Sequence, residues 1–312
     1  MIDIVVVNWN SGDRLEAVIR SVDLHHCSIV NKVIVVDNAS SDDSLKFLDF
    51  WNSDGFDFEV VRNYDNVGFG VACNQGAARG EAKYILFLNP DAVIFGKTLS
   101  GVVDFMDEAS SQGVGVCGVQ LIDEAKNIAR SCARFPDLRM YFLMAFGLDR
   151  LIIFSKFRHH MTDWNHLMVR DVDHVIGAFY FIRRELFDRL GGFDDRFFVY
   201  LEDLDLSLRV RHSGSRIVYL ANLQAFHEGG GTSHQVKATR LFYSLRSRLL
   251  YGFKHFSLPA AWGLVGVTLL IEPVSRVFFA LLRGGGEDVR NTLKGYGMLW
   301  RALPGILRGQ GR

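Results

Sequence analysis

The sequence predicts an α/β fold: a sheet whose leading strands run parallel and are wrapped by helices. Three observations predict it. Short β-branched or apolar runs recur at residues 4–7, 33–36, 60–61 and 85–88, each followed by a polar loop and a helix-like stretch, and such alternation builds parallel strands joined by crossover helices. From residue 114 the rhythm changes to strand and hairpin pieces, so the sheet becomes mixed. Bulk is the third: 312 residues, 49% hydrophobic and 22% charged, suit one large domain or two small ones and exclude a disordered or fibrous chain.

The elements follow in order. Behind the first strand, Leu15, Val18, Ile19 and Val22 fall on one helix face, and Leu45 and Leu48 recur in a second helix. Residues 114–119 and 120–122 read as strands, 123–127 as a turn and 128–131 as a return strand. Later strands are expected at 172–176 and 179–182, and Leu201, Leu204 and Leu208 share a further helix face. Cys27, Cys73, Cys117 and Cys132 show neither Cys-x-x-Cys nor zinc spacing, which fits reduced core thiols in a cytoplasmic compartment. The opening Met1-Ile2-Asp3 lacks a basic leader and does not read as a signal peptide.

In open α/β sheets ligands gather outside the carboxyl ends of the strands. Those ends are polar here: Asn8-Trp9-Asn10, Asp37-Asn38-Ala39-Ser40, residues 63–68, and Asn89-Pro90-Asp91. One such loop is an ordinary turn, but four on one edge make a binding site. A dinucleotide site needs Gly-x-Gly-x-x-Gly after the first strand, where Asn8-Trp9-Asn10-Ser11-Gly12 stands, and no Walker loop occurs. NAD enzymes and P-loop NTPases are thereby excluded. With 35 basic against 35 acidic residues, nothing points to nucleic acid.

The pieces Val5-Val6-Val7-Asn8-Trp9-Asn10, Val35-Val36-Asp37-Asn38, Asn66-Val67-Gly68-Phe69-Gly70, Leu88-Asn89-Pro90-Asp91, Gly177-Ala178-Phe179, Gly191-Gly192-Phe193-Asp194 and residues 198–209 stand in a telling order. Together they resemble the inverting family 2 glycosyltransferases of the GT-A fold, above all their rhamnosyltransferase-like branch, over residues 2–255. The resemblance implies a Rossmann-like mixed sheet flanked by helices, with a C-terminal helical extension. It implies nucleotide-sugar contacts from Asn8, Asn10, Asp37, Asn66, Gly68, Asn74, Asn89, Gly177 and Arg209, with Asp37 accepting from the base, Asn8 against the nucleoside and Asn74 at a helix start.

Asp91 stands for the last residue of that family's Asp-x-Asp metal motif, and Asn89 replaces the first acid. Mg²⁺ or Mn²⁺ would then lean on the diphosphate, on water and on His227, whose imidazole mildly favours Mn²⁺. His227 leads into Glu228-Gly229-Gly230-Gly231-Thr232-Ser233, a stretch suited to folding over phosphates. Glu202, Asp203 and Asp205 crowd three carboxylates into one first turn, more than a helix dipole requires. Inverting transfer needs a base for the acceptor hydroxyl; by match to the family's Glu-Asp motif that base is Asp203, while Glu202 orients the acceptor or the helix. The Gln-x-x-Arg-Trp motif of processive synthases is missing, which favours single-sugar addition.

Charge is segregated. Residues 233–312 hold 12 basic and 3 acidic side chains, and residues 1–232 hold 23 and 32. Residues 258–271 form an uncharged run of about 21 Å as a helix, too short to span about 30 Å of hydrocarbon, and Glu272, Pro273 and Arg276 follow it. The expectation is a GT-A catalytic domain over 1–232, with a nucleotide-sugar half at 1–95 and an acceptor half at 96–232, and a basic membrane-associating region over 233–312. The partners expected are a nucleotide-diphosphate sugar, dTDP-rhamnose first and UDP-sugars next, a lipid-linked or saccharide acceptor of cell-envelope polysaccharide assembly, and the anionic inner face of the cell membrane. The apolar patch at 140–157 reads as a second membrane contact, a buried helix or a homodimer interface. Two other readings stand beside this: a sugar-phosphate nucleotidyltransferase, and an inactive GT-A membrane scaffold.

Overall fold

A computed structural model of the chain describes residues 1–26, 28–51, 55–229 and 237–309. Cys27, residues 230–233 of the glycine stretch and Arg312 lie outside the described residues. Four parallel strands, β1 (Ile2–Asn8), β2 (Val30–Asp37), β3 (Asp57–Arg62) and β4 (Tyr84–Leu88), form one half of the main sheet in the order β3-β2-β1-β4. The other half holds β5 (Ala92–Ile94) and β6 (Val114–Ile122). The short β7 (Cys132–Ala133) lies outside the main sheet, β8 (Arg170–Asp171) is on its edge, and β9 (His174–Val175) pairs with β7. β10 (Phe179–Arg183) runs antiparallel between β4 and β6, and β11 (Arg216–His227) runs parallel to β6 and antiparallel to β5.

Helices α1 (Arg14–His26), α2 (Phe69–Ala77) and α3 (Thr98–Asp107) cover this sheet. Leu15, Val18, Ile19 and Val22 of α1 are fully buried in one cluster with Ile2, Ile4 and Val6, as their spacing predicts. Gly76 of α2 lies so close to β1 that a Cβ there would stand 2.4 Å from a Val5 methyl, so a side chain would push the helix off the sheet.

Several expected elements differ. Leu45 and Leu48 fall at a single 3₁₀ turn, Lys46–Asp49, because the segment is too short to bury a helical stripe. Residues 114–122 are one strand, and 128–131 contribute only the bridge between Ile122 and Ile128. The expected strand at 172–176 shrinks to β9.

The chain divides into two compact units: residues 1–133, 165–194 and 203–232, and residues 134–164, 195–202 and 233–312. Residues 134–164 and 195–202 thus group with the C-terminal helices. The first unit also carries α5 (Arg184–Arg189). The second contains α4 (Leu138–Ala145). Helix α6 (Glu202–His212) belongs, from Asp203 on, to the first. The rest of the second unit is α7 (Lys237–His255), α8 (Leu258–Gly266), α9 (Glu272–Leu282) and α10 (Gly286–Leu307), with a π-helical turn at Val267–Ile271 joining α8 to α9.

Residues 258–282 are therefore one continuous helix of 25 residues with mean hydropathy 1.8, the one helix among the described residues long and apolar enough to cross a membrane. Pro273 does not interrupt it, since it sits in the first turn of α9, where its missing N–H costs little. Glu272 is buried and paired with Arg248, which is equally buried and stands 4.8 Å above the Tyr141 ring, and with Arg276 at 2.7 Å. Burial pushes the Glu272 carboxyl up, but the two guanidiniums outweigh that and hold it below its ordinary value. Arg246 and Ser247 are buried too, donating to the carbonyls of Arg196 and Val199, so this part of α7 is packed. The patch at 140–157 is divided: Met140, Tyr141 and Ala145 are buried, while Ile152 and Ile153 are 86% and 77% exposed.

Candidate active site

The carboxyl ends of β1 and β2 meet through side chains. Asn8 is fully buried, and its amide donates to Asp37 Oδ1 at 2.8 Å and reaches Ser44 Oγ at 2.9 Å, while Ser11 donates back to it. The register Asn8 to Asp37 makes this pairing a direct product of strand alignment. Asn8 is therefore an anchor that orients Asp37, the more so because the Asp37 carboxylate also accepts the Ser40 N–H. Asn10 adopts a left-handed backbone, φ 51°, and its side-chain oxygen accepts the Ser41 N–H at 2.8 Å.

The third loop joins them. Asn38 donates to the Gly68 carbonyl and accepts from Asn63, which exchanges hydrogen bonds with Gln75. Asn66 accepts the Gly68 N–H at 2.9 Å, and Gly68 enters α2 with φ 89°, a conformation natural to glycine. Asn74 differs from expectation: it is the sixth residue of α2, and it clamps the Phe193 backbone at 2.9 and 2.8 Å. Arg209 likewise serves the fold. Its three donor nitrogens go to Asp205, the Leu190 carbonyl and the Gly192 carbonyl, fixing the Gly191-Gly192 turn.

The two acids of interest lie at one end of the sheet. The Asn89 N–H, at the end of β4, donates to the Ala178 carbonyl at 3.1 Å. The neighbouring Gly177 N–H donates to Asp203 Oδ2 at 2.7 Å, and a Cβ on Gly177 would stand only 3.0 Å from that oxygen. Two peptide units thus connect the Asn89-Pro90-Asp91 turn to the Asp203 carboxylate. Asp203 is the second residue of α6, and the helix begins at Glu202, with Tyr200 and Leu201 both left-handed at φ 69° and 66°. Leu201 is consequently outside the helix whose face it was expected to share. Consecutive left-handed residues with side chains are strained, and this strain sits at the entry to Glu202-Asp203. Glu202 is buried.

Asp91 Oδ1 faces His227 Nε2 at 3.3 Å, both side chains nearly buried, because β5 pairs antiparallel with the end of β11. Burial pushes the Asp91 carboxyl up; the hydrogen bond and charge of His227, with Arg14 further off, outweigh it and leave the group below its ordinary value. One hard oxygen and one imidazole that converge fit a divalent cation drawing its remaining ligands from a diphosphate and water. Among the described residues no third His, Cys, Asp or Glu completes such a group.

Two residues escaped the sequence reading. Arg14, at the start of α1, forks onto the Glu228 carboxylate and adds positive charge near Asp91; that hydrogen bond raises its already high pKa. His174 Nε2 lies 3.6 Å from Asp203 Oδ2. Neither belongs to a local motif, since each acquires its partner only through tertiary pairing.

Known proteins share this architecture. The family model described as Glycosyl transferase family 2 matches residues 3–191. Rhamnosyltransferase WbbL of Escherichia coli (strain K12) is 26% identical over 266 residues, 80% of this chain and 92% of the relative. The N-acetylglucosaminyl-diphospho-decaprenol L-rhamnosyltransferase of Mycobacterium tuberculosis (strain ATCC 25618 / H37Rv) is 25% identical over 276 residues, 80% of this chain and 83% of that protein. Among solved structures, mannosyltransferase PcManGT from Pyrobaculum calidifontis, in complex with GDP-Man and Mn²⁺, superposes with a TM-score of 0.56 over 98% of this chain and 86% of its own, at 15% identity. The fold is the GT-A fold.

Proposed function

Because the chain belongs to glycosyl transferase family 2, we propose that this glycosyltransferase moves a sugar, rhamnose from dTDP-rhamnose first among candidates, onto a lipid-linked saccharide with inversion. The observation that carries this reading is the short link from the Asn89-Pro90-Asp91 turn through Ala178 and Gly177 to the Asp203 carboxylate. Asp203 takes the proton of the acceptor hydroxyl as that oxygen bonds to the anomeric carbon, and the bond to the diphosphate breaks with its electron pair leaving on the nucleotide. Asp37, oriented by Asn8, accepts from the base of the nucleotide. Asp91 and His227 would hold Mn²⁺ or Mg²⁺, which supplies charge neutralisation to the departing diphosphate. Arg14 adds a fixed positive charge on the same side.

A panel of dTDP-, UDP- and GDP-sugars, assayed for nucleotide release with Mn²⁺ and with chelator, tests this. Release of nucleoside diphosphate from one sugar, lost on chelation, is the expected result. Pyrophosphate release from a nucleoside triphosphate and a sugar phosphate would instead establish a nucleotidyltransferase.

The second unit fits attachment to an anionic bilayer at the cytoplasmic face. Trp262, Leu270, Val274, Phe278 and Leu282 are exposed along the 258–282 helix. On α10, Leu293, Trp300 and Leu307 are exposed every seventh residue, beside exposed Lys294, Arg301 and Arg308 in the same period. An apolar stripe flanked by cations matches a leaflet with acidic headgroups, each cation contributing about 1 kcal/mol. The protein should pellet with phosphatidylglycerol vesicles at low salt and release at high salt; failure to pellet at low salt contradicts this attachment.

A further inference from the structure

We propose that His174 is a positioning residue for Asp203, holding its carboxylate in place through an Nε2–H directed at Oδ2; this rests on the reading of Asp203 as the base. His174 is 3% exposed, and no sequence motif accounts for it. Its Nδ1 lies 2.8 Å from Ser207 Oγ on α6, and the Tyr180 hydroxyl on β10 lies 3.0 Å from the same oxygen.

The direction of this chain can be read from one buried proton. Tyr180 is fully buried, and burial pushes its phenol up, so the hydroxyl keeps its proton and places it on Ser207 Oγ, the partner beside it. In the proposed chain Ser207 donates its own proton to His174 Nδ1, which leaves that nitrogen unprotonated. The ring proton therefore sits on Nε2, facing Asp203 Oδ2 at 3.6 Å, just beyond hydrogen-bond reach. Together with the Gly177 N–H on that oxygen and the Leu204 N–H on Oδ1, it fixes the direction in which the Asp203 carboxylate is presented.

Among the ionisable groups on the surrounding elements, Glu202 is buried next to Asp203 at the start of α6. Asp205 and Arg209 on α6 neutralise each other. Burial pushes Tyr180 and Tyr219 up, and pushes Cys132, on the strand beside His174, up to about 12. Asp173, next to His174 in sequence, is partly exposed and unchanged by the variants below.

The test uses the full chain, with Asp203→Asn as the reference for the base reading. If Asp203→Asn still turns over, that reading fails and the inference with it. Where it is inactive yet binds nucleotide, His174→Phe is expected to move the acid limb of the kcat/KM profile upward by about one pH unit, leaving donor KM within about twofold. His174→Gln, whose amide can still donate, should return the limb most of the way. A loss of packing alone would lower turnover evenly across pH. An acid limb that stays in place in His174→Phe overturns the inference while the base reading survives. Should His174→Phe fail to fold, ¹⁵N NMR of the wild-type imidazole decides: protonation on Nε2 at neutral pH is expected, and protonation on Nδ1 alone overturns the proposal.

Discussion

Asp203→Asn is expected to lower turnover by about 10²- to 10⁴-fold while nucleotide binding stays within about twofold of wild type. The asymmetry follows from where the side chain sits. Its oxygens accept the backbone N–H groups of Gly177 and Leu204, so an amide of the same size fills the space, but its NH₂ would meet one of those N–H groups and could not take a proton from an acceptor. Asp37 and the Asn8 cluster, which we assign to the nucleotide, share no hydrogen bond with Asp203 among the described contacts. Donor affinity and turnover should therefore separate. Isothermal titration with the nucleoside diphosphate and initial rates with a donor sugar check the two quantities; wild-type turnover in the variant would remove Asp203 as the base.

Arg248→Met should destabilise the second unit by about 3–5 kcal/mol, because it leaves the buried Glu272 carboxylate without its most buried partner. Arg276→Met, at the half-exposed end of the same cluster, should cost less than about 1 kcal/mol. The cluster also sets a pH limit. The Glu272 carboxyl is lower in the folded chain than in an unfolded one, so its contribution is complete above the ordinary carboxylate value near ~4.3 and fades as pH falls through the lower folded value. Urea unfolding followed by circular dichroism measures both effects. Equal, small losses in the two variants would mean that the buried pair adds no more than a surface one.

What was legible in the sequence was whatever a short stretch of chain determines. The stripe Leu15, Val18, Ile19, Val22 specified α1, and the polar residues after β1 and β2 specified the sheet edge where Asn8 and Asp37 now meet. Leu45 and Leu48 misled because two apolar residues three apart suit a single 3₁₀ turn as well as a helix. Arg209 was placed among the nucleotide-sugar contacts; Leu190 and Gly192 lie 19 and 17 residues away, and only the fold shows that their carbonyls take its donors. The buried pairing of Arg248 with Glu272 was hidden for the same reason: alone, Glu272 reads as a charge following an apolar run, and only the fold brings Arg248 to it.

The most direct test of the central claim, that Asp203 and Asp91 serve one donor cleft at one end of the sheet, is a crystal structure with thymidine diphosphate and Mn²⁺ in which the metal is located by its anomalous scattering. The account predicts the manganese peak against Asp91 and His227, with the diphosphate on the side of the sheet that carries the Gly177-bound Asp203 carboxylate. A manganese and diphosphate bound away from Asp91, with Asp203 left out of the nucleotide's cleft, would contradict it.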